Sequence, residues 1–226
     1  VLALIFIRDN PASCDLAPDG ETYNPLEKIS SGQISLRLKD AKRSLVFWVY
    51  SLSLAMHALF GTALTFHVVA IFSEAGLSKE VAFSYFIPVA IFSTSANLLA
   101  SWLVDSSSLK PFLILMLGSF ILGSFGFVFL SAAWGYWALA LGFGVGGGLW
   151  GVISNLAFIR FFGPSHVGEV SGFSTSISVF ASALGPFVFS AAADIFGSYG
   201  AAAQTCLLLL LVLLVAAVVI PQKELS

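Results

Sequence analysis

Residues 138–187 read ALALGFGVGGGLWGVISNLAFIRFFGPSHVGEVSGFSTSISVFASALGPF, and this stretch decides the fold. It consists of two apolar runs joined by a short polar segment, residues 160–169. The first run is rich in glycine, and the second is rich in serine before the pair Gly185 and Pro186. Such small residues are typical of helices in a bilayer, where backbones must approach closely because lipid provides no hydrophobic drive for association.

The composition of the whole chain also indicates an integral membrane protein. Hydrophobic residues make up 58% and charged residues only 10%, whereas about a quarter of a soluble domain is charged. Five long runs contain no Asp, Glu, Lys or Arg, and a membrane-spanning helix needs about 20 such residues. The run 111–159 is long enough for two spans. We therefore predict an all-α bundle over residues 44–222 with spans at 46–72, 81–104, 110–131, 136–160, 170–193 and 200–220.

The distribution of basic residues predicts the orientation, because loops rich in Lys and Arg stay in the cytoplasm. If the segment before the first span is cytoplasmic, nine of the ten basic residues lie inside and only Lys79 lies outside. This places both ends of the chain, including the short tail 223–226, in the cytoplasm, and we expect a multi-pass protein of the cell (inner) membrane. The nine are Arg8, Lys28, Arg37, Lys39, Lys42, Arg43, Lys110, Arg160 and Lys223.

The first 43 residues divide into two parts. Residues 1–7, VLALIFI, are apolar but too short to span a bilayer. We interpret them as the tail of a severed transmembrane helix; the alternative is a short hydrophobic terminus of a complete protein. Residues 8–43 contain Pro11, Pro18 and Gly20, which forbid a continuous helix, and are predicted to form a cytoplasmic loop.

Two segments carry a resemblance to a known family. Residues 8–20, RDNPASCDLAPDG, are followed by a basic run that ends in Phe47 and Trp48, and residues 160–172 are followed by the sequence ALGP. Both resemble the major facilitator superfamily, closest to its oxalate/formate antiporters and monocarboxylate porters. The resemblance implies the C-terminal half, helices seven to twelve, of a twelve-helix fold. It also implies a small organic anion as substrate, moved by proton symport or exchange through alternating access, and a missing N-terminal six-helix half as partner.

A similarity between the two halves of the predicted bundle supports a repeated architecture. Asp105 follows the second predicted span, and Asp194 follows the fifth; small residues precede each, and an aromatic residue follows each. With three spans in each unit, the two loops lie on opposite sides of the membrane. The sequence therefore predicts two inverted three-helix repeats.

His57 is the one residue of Asp, Glu, Lys, Arg or His type near the middle of a predicted span. It shares a helical face with Ser53, Gly61 and Thr65 because residues four apart are neighbours on a helix. An ionisable group at this depth is costly and usually faces a cavity or a partner. Either His57 binds an anionic substrate or carries a coupling proton, or it is a neutral histidine hydrogen-bonded between helices.

Three further polar or amphipathic residues are candidates for substrate binding. Trp150 and Asn155 lie in the glycine-rich span, and Ser178 belongs to a polar stripe on the fifth span. We expect them to face His57; the alternative for each is a hydrogen bond between helices. Spans three and six have little polar character and are expected to lie outside, against lipid. A gating role on the cytoplasmic side is predicted for Asp105, Lys110, Arg160 and His166.

The sequence lacks the residues that other kinds of function would require. The glycine run matches a dinucleotide fingerprint as a string, but no strand can precede it inside an uncharged apolar run. We find no catalytic set, metal-ligand cluster or basic patch for nucleic acid, so no enzyme activity, cofactor or metal is expected. The expected partners are the bilayer and a small-molecule substrate. Two alternatives to an organic-anion transporter stay open: a half-transporter module that does not transport without a partner chain, and efflux of a neutral or amphipathic solute.

Overall fold

The computed structural model describes residues 35–225, so the predicted severed helix 1–7 and most of the predicted loop 8–43 lie outside the described residues. Within the described range the chain is helical, with no strand. The helices are α1 (Leu38–Ala41), α2 (Leu45–Glu74), α3 (Lys79–Ser84), α4 (Phe86–Val104), α5 (Leu109–Val128), α6 (Ala133–Phe162), α7 (Val167–Phe196) and α8 (Gly200–Val219).

Six helical segments of the described chain are long and apolar enough to cross a membrane. Helices α3 and α4 together make one of them, Lys79–Val104. The break between α3 and α4 at Tyr85 has a local cause: Pro88 has no N–H to donate to the carbonyl of Ser84, four residues earlier. The prediction of an all-α membrane protein with six spans is confirmed.

Glycines end two of the long helices. Gly163 follows α6 with φ 82°, and Gly197 follows α7 with φ 71° in the left-handed region. Side chains other than glycine are strained there. The N–H of Gly197 donates to the carbonyl of Ala193 at 2.9 Å, which closes the last turn of α7. These two glycines therefore fix where the chain leaves each helix.

The helices pair in a pattern that relates the first three spans to the last three. The first span, α2, packs along the fifth, α7, and the fourth, α6, packs along the second, α4. The third and sixth spans, α5 and α8, pack on each other. Exchanging the two sets of three helices leaves these three pairings unchanged, as the predicted inverted repeats require. The most extensive contact among the described helices, between α5 and α6, has a smaller counterpart between α8 and α2.

The glycines of α6 allow two neighbours to approach it. A Cβ atom at Gly142 would strike the backbone of Gly123 in α5, and one at Gly148 would strike the Ser93 carbonyl in α4. Gly144 likewise lies against Phe92 of α4. Gly144 and Gly148 therefore form a close helix-packing surface. Of the six spans in the described chain, α6 is the most buried.

Candidate functional site

His57 lies near the middle of the 30-residue helix α2, beside a cleft of about 650 Å³. We call this the His57 cleft. No Asp, Glu, Lys or Arg belongs to its lining, which among the described residues consists of His57, Gly61, Thr62, Thr65 and Phe66.

The imidazole of His57 is surrounded by aromatic rings. The ring of Phe120, from α5, is stacked on it with centroids 4.8 Å apart and an angle of 14° between the planes. The indole of Trp150, from α6, lies 5.3 Å away and is tilted by 44°. Phe120 belongs to the third span, so one face of that span reaches the surroundings of His57.

The Nδ1 atom of His57 is buried and has no hydrogen-bond partner among the described residues. A buried polar atom without a partner loses its hydration, which costs about 1–3 kcal/mol. Such atoms are rare in folded proteins and call for a specific explanation. One alternative for His57 was a neutral histidine hydrogen-bonded between helices. Within residues 35–225, Nδ1 makes no such hydrogen bond.

Glycines create the space that this arrangement needs. A Cβ atom at Gly146 would overlap the ring of Phe120, so only glycine lets that ring lie where it stacks on His57. Gly61 and Gly147 both lie beside the imidazole, because a Cβ on either would come within 3.7 Å of its Cε1 atom. The glycine-rich run therefore shapes the surroundings of His57 as well as the helix packing.

The structure brings together only part of the predicted substrate-binding set. Trp150 contacts His57, and its indole N–H donates to the carbonyl of Leu54 at 3.3 Å. Asn155 is exposed and donates to the Gly151 carbonyl of its own helix at 2.8 Å. Ser178 is partly exposed on α7 and makes no side-chain hydrogen bond to another described residue. Neither Asn155 nor Ser178 lies in the lining of the His57 cleft.

Thr62, Thr65 and Phe66 line the cleft, and the sequence did not single out Thr62 or Phe66. The i+4 spacing of His57, Gly61 and Thr65 predicted that these residues share one helical face, and all three line the cleft. Phe66 is 74% exposed, which is high for a phenylalanine.

Helix α7 packs against α2 next to the cleft. The hydroxyls of Thr62 and Ser182 are 2.8 Å apart and share a hydrogen bond. Further along the same pair of helices, His67 Nε2 lies 3.0 Å from the carbonyl oxygen of Pro186. A Cβ at Gly185 would strike the carbonyl of Leu59, so this glycine sets how closely α7 approaches.

A second group of polar residues lies at one end of the bundle, and we call it the Arg160 network. Arg160 donates to the carbonyl of Ser107 and to that of Val104, each at 2.9 Å. Its guanidinium is also 4.0 Å from the carboxylate of Asp105 and 3.5 Å from that of Glu224. The network therefore ties the end of α6 to the turn between α4 and α5 and to the C-terminal tail.

The predicted gating residues divide between this network and other positions. Asp105 and Arg160 are brought together, although Asp105 is 89% exposed. Lys110 donates instead to the carbonyls of Val218 and Ile220 at the end of α8, at 2.7 and 3.3 Å. His166 is the residue before α7 and takes no part in the described hydrogen bonds of the Arg160 network.

The C-terminal tail also belongs to this end of the bundle, which the sequence did not reveal. Glu224 accepts a hydrogen bond from the Leu109 N–H at 2.6 Å, and the Leu225 N–H donates to the Arg160 carbonyl at 2.8 Å. Gln222 accepts from the buried hydroxyl of Tyr50 at 2.8 Å. Tail residues thus contact the ends of α2, α5 and α6.

Glu74 plays a related part at the opposite end of the bundle. Its carboxylate accepts hydrogen bonds from the hydroxyl of Ser198 and, at 3.2 Å, from the backbone N–H of Tyr199, directly before α8.

Residues 35–225 contain no group of three or more His, Cys, Asp or Glu placed to hold a metal ion.

Within residues 35–225, six long apolar helical segments with a cleft at mid-span define a multi-pass membrane protein. The profile of the Major Facilitator Superfamily matches residues 1–186, so the chain belongs to this superfamily, which is a family of transporters. None of the curated proteins compared with the chain matches it. The predicted resemblance is thus confirmed at the level of the superfamily, and assignment to the oxalate/formate and monocarboxylate branch stays a prediction.

Proposed function

We propose that the protein is a secondary active transporter that binds a small organic anion, such as a mono- or dicarboxylate, in the His57 cleft. The proton that accompanies or exchanges with the anion resides on His57. The observation that carries the proposal is the buried, unpartnered Nδ1 atom of His57 beside a cleft near mid-span. An ionisable side chain at this depth is costly and almost always faces a partner or a water-filled pathway.

The charge of the surroundings supports an anion that travels with a proton. The sequence has no Lys or Arg in 44–73, 81–104, 111–159 or 170–193, so His57 is the residue near mid-span in these helices that can become a cation. A protonated imidazole and a carboxylate form a neutral pair, and pairing removes much of the cost of placing either charge in a low-dielectric interior.

The outward faces of two helices support a second six-helix unit as the partner. Of the six spans, those formed by α3–α4 and by α7 are the least buried within the described chain. On α7, a Cβ at Gly168 or at Gly172 would meet nothing within 4 Å. Small residues favour close helix contacts in membranes, so we propose that this face packs against an N-terminal half, and that rocking of the two halves gives alternating access.

We further propose that the Arg160 end of the bundle faces the cytoplasm. The positive-inside distribution of basic residues supports this orientation. The Arg160 network then lies at the cytoplasmic gate of the transport path. Its contacts hold the ends of α4, α5, α6 and the tail together.

A neutral or amphipathic solute is the second candidate, and the apolar character of the cleft favours it. The lining carries two hydroxyls, one imidazole and an exposed phenyl ring. An uncharged solute needs no counter-ion, so its uptake would not depend on a protonated His57. This difference separates the two candidates experimentally.

The test is uptake by the full-length gene product in proteoliposomes, with labelled lactate and labelled oxalate as probes and an imposed proton gradient. We expect gradient-driven uptake that is lost in His57→Gln, while Thr205→Ala, on the exposed face of α8, transports normally. Gradient-driven uptake that survives in His57→Gln would exclude His57 as the proton carrier. Absence of uptake for both acids, with transport of an amphipathic dye, would favour the second candidate. A chain that folds and inserts but transports neither class would support the non-transporting module.

A further inference from the structure

We propose that Trp150 and Phe120 are positioning residues, which fix the imidazole of His57 and act on the solute only through it. The inference rests on the proposed function of the His57 cleft. It differs from the interpretation of Trp150 as a substrate-binding residue, because Trp150 touches His57 but is not part of the cleft lining.

The indole of Trp150 is held in a fixed orientation. Its N–H donates to the carbonyl of Leu54, which lies three residues before His57 on α2. Residues three apart are neighbours on a helix surface, so the bond places the indole beside the imidazole. With its N–H engaged by α2, the indole cannot offer that donor to a solute without breaking a contact between α2 and α6.

Phe120 fixes the imidazole from a different helix. Its ring is nearly parallel to the imidazole, and Phe120 itself is only 1% exposed. The ring occupies space that a side chain at position 146 would fill. Gly146 therefore acts on His57 through Phe120, which links the glycine-rich run to the site.

Packing, and not hydrogen bonding, sets the orientation of the imidazole. Nδ1 has no partner among the described residues, while two aromatic rings constrain the ring plane. A functional side chain works best when its neighbours lock its rotamer. This arrangement keeps the imidazole in place while Nδ1 stays without a hydrogen-bond partner among the described residues.

A double-mutant cycle tests the inference through equilibrium binding of labelled lactate and oxalate to the purified full-length protein, which can be measured in variants that no longer take up either acid. Trp150→Phe keeps an aromatic ring but loses the bond to Leu54. We expect it to weaken binding about tenfold alone and to cause no further loss in a His57→Gln background, because coupled residues give non-additive effects. Trp137→Phe is the matched control, since Trp137 lies on the same helix but is 59% exposed. Independent, multiplicative losses would overturn the inference.

A second measurement does not depend on transport. Diethyl pyrocarbonate modifies accessible histidines, and mass spectrometry gives the rate at His57 relative to His166 in the same sample. We expect Trp150→Ala and Phe120→Leu to raise this ratio about fivefold, because each leaves a cavity beside the imidazole; Trp137→Ala should not change it. An unchanged ratio in both variants would overturn the inference, even if His57→Gln abolishes uptake. An increased ratio with no uptake of either acid would instead contradict the proposed function alone.

Discussion

Glu224 accepts a hydrogen bond of 2.6 Å from the backbone N–H of Leu109, the first residue of α5. The other oxygen of its carboxylate lies 3.5 Å from Arg160 Nη1. The first N–H groups of a helix have no partner within the helix, and the positive end of the helix dipole attracts a carboxylate. A residue of the C-terminal tail therefore caps a helix more than a hundred residues earlier in the chain.

We expect Glu224→Ala to lower the apparent free energy of unfolding by about 1–2 kcal/mol, because it removes both the cap and the pairing with Arg160. Glu224→Gln should lower it less, since an amide oxygen still accepts from Leu109. Thermal unfolding of the purified protein in detergent measures the change. Glu169→Ala is the control: it removes a carboxylate from the exposed first turn of α7. Equal losses for Glu224→Ala and Glu169→Ala would contradict a specific capping role.

Arg160→Lys tests the geometry of the Arg160 network. The two Nη atoms of Arg160 reach two different carbonyls at 2.9 Å, and a single ammonium group cannot reproduce this fork. We expect a loss of about 1–2 kcal/mol in the same unfolding assay. Arg43→Lys, at an exposed position before α2, should change stability little. Unaltered stability in Arg160→Lys would show that charge alone suffices at this position.

The hydrogen bond between Thr62 and Ser182 should couple α2 to α7 weakly. Thr62→Val, Ser182→Ala and the double variant form a cycle, and hydrogen bonds between helices in membranes contribute about 0.6 kcal/mol on average. We expect a coupling energy of that size from unfolding of the three variants and the parent. The two hydroxyls are 2.8 Å apart. If the losses of unfolding free energy in Thr62→Val and Ser182→Ala simply add in the double variant, the hydrogen bond between them contributes no coupling energy.

Gly148→Ala should be the more harmful of two alanine substitutions. A Cβ at Gly148 would strike the Ser93 carbonyl, whereas one at Gly118 on α5 would meet nothing within 4 Å. Forcing a group into a packed interface costs about 1–3 kcal/mol. We therefore expect Gly148→Ala to destabilise α6 against α4 and Gly118→Ala to be tolerated, as judged by monodispersity and melting temperature. Equal melting temperatures and monodispersity for the two variants would show that α4 can move away from α6 without loss of stability.

The sequence by itself determined the class of the protein and its helices. Uncharged apolar runs of sufficient length predicted six spans, and the part of the chain that the structure describes contains six such helical segments. This works because crossing a bilayer is a requirement on each segment alone: its backbone must satisfy its own hydrogen bonds and its side chains must be apolar. The mid-span position of His57 could be read in the same way, from its place in one run.

Tertiary structure decided which residues meet. The glycine spacing indicated close packing, but nothing local showed that Gly146 makes room for Phe120 or that Phe120 stacks on His57. Asn155 and Ser178 looked equivalent to Trp150 in sequence, yet only Trp150 contacts His57. Glu224 belongs to the C-terminal tail, and nothing in the sequence indicates that it lies at the start of α5. These contacts depend on the rotation and register of one helix against another, which are set by side chains distant in the chain and not by the hydropathy of either segment.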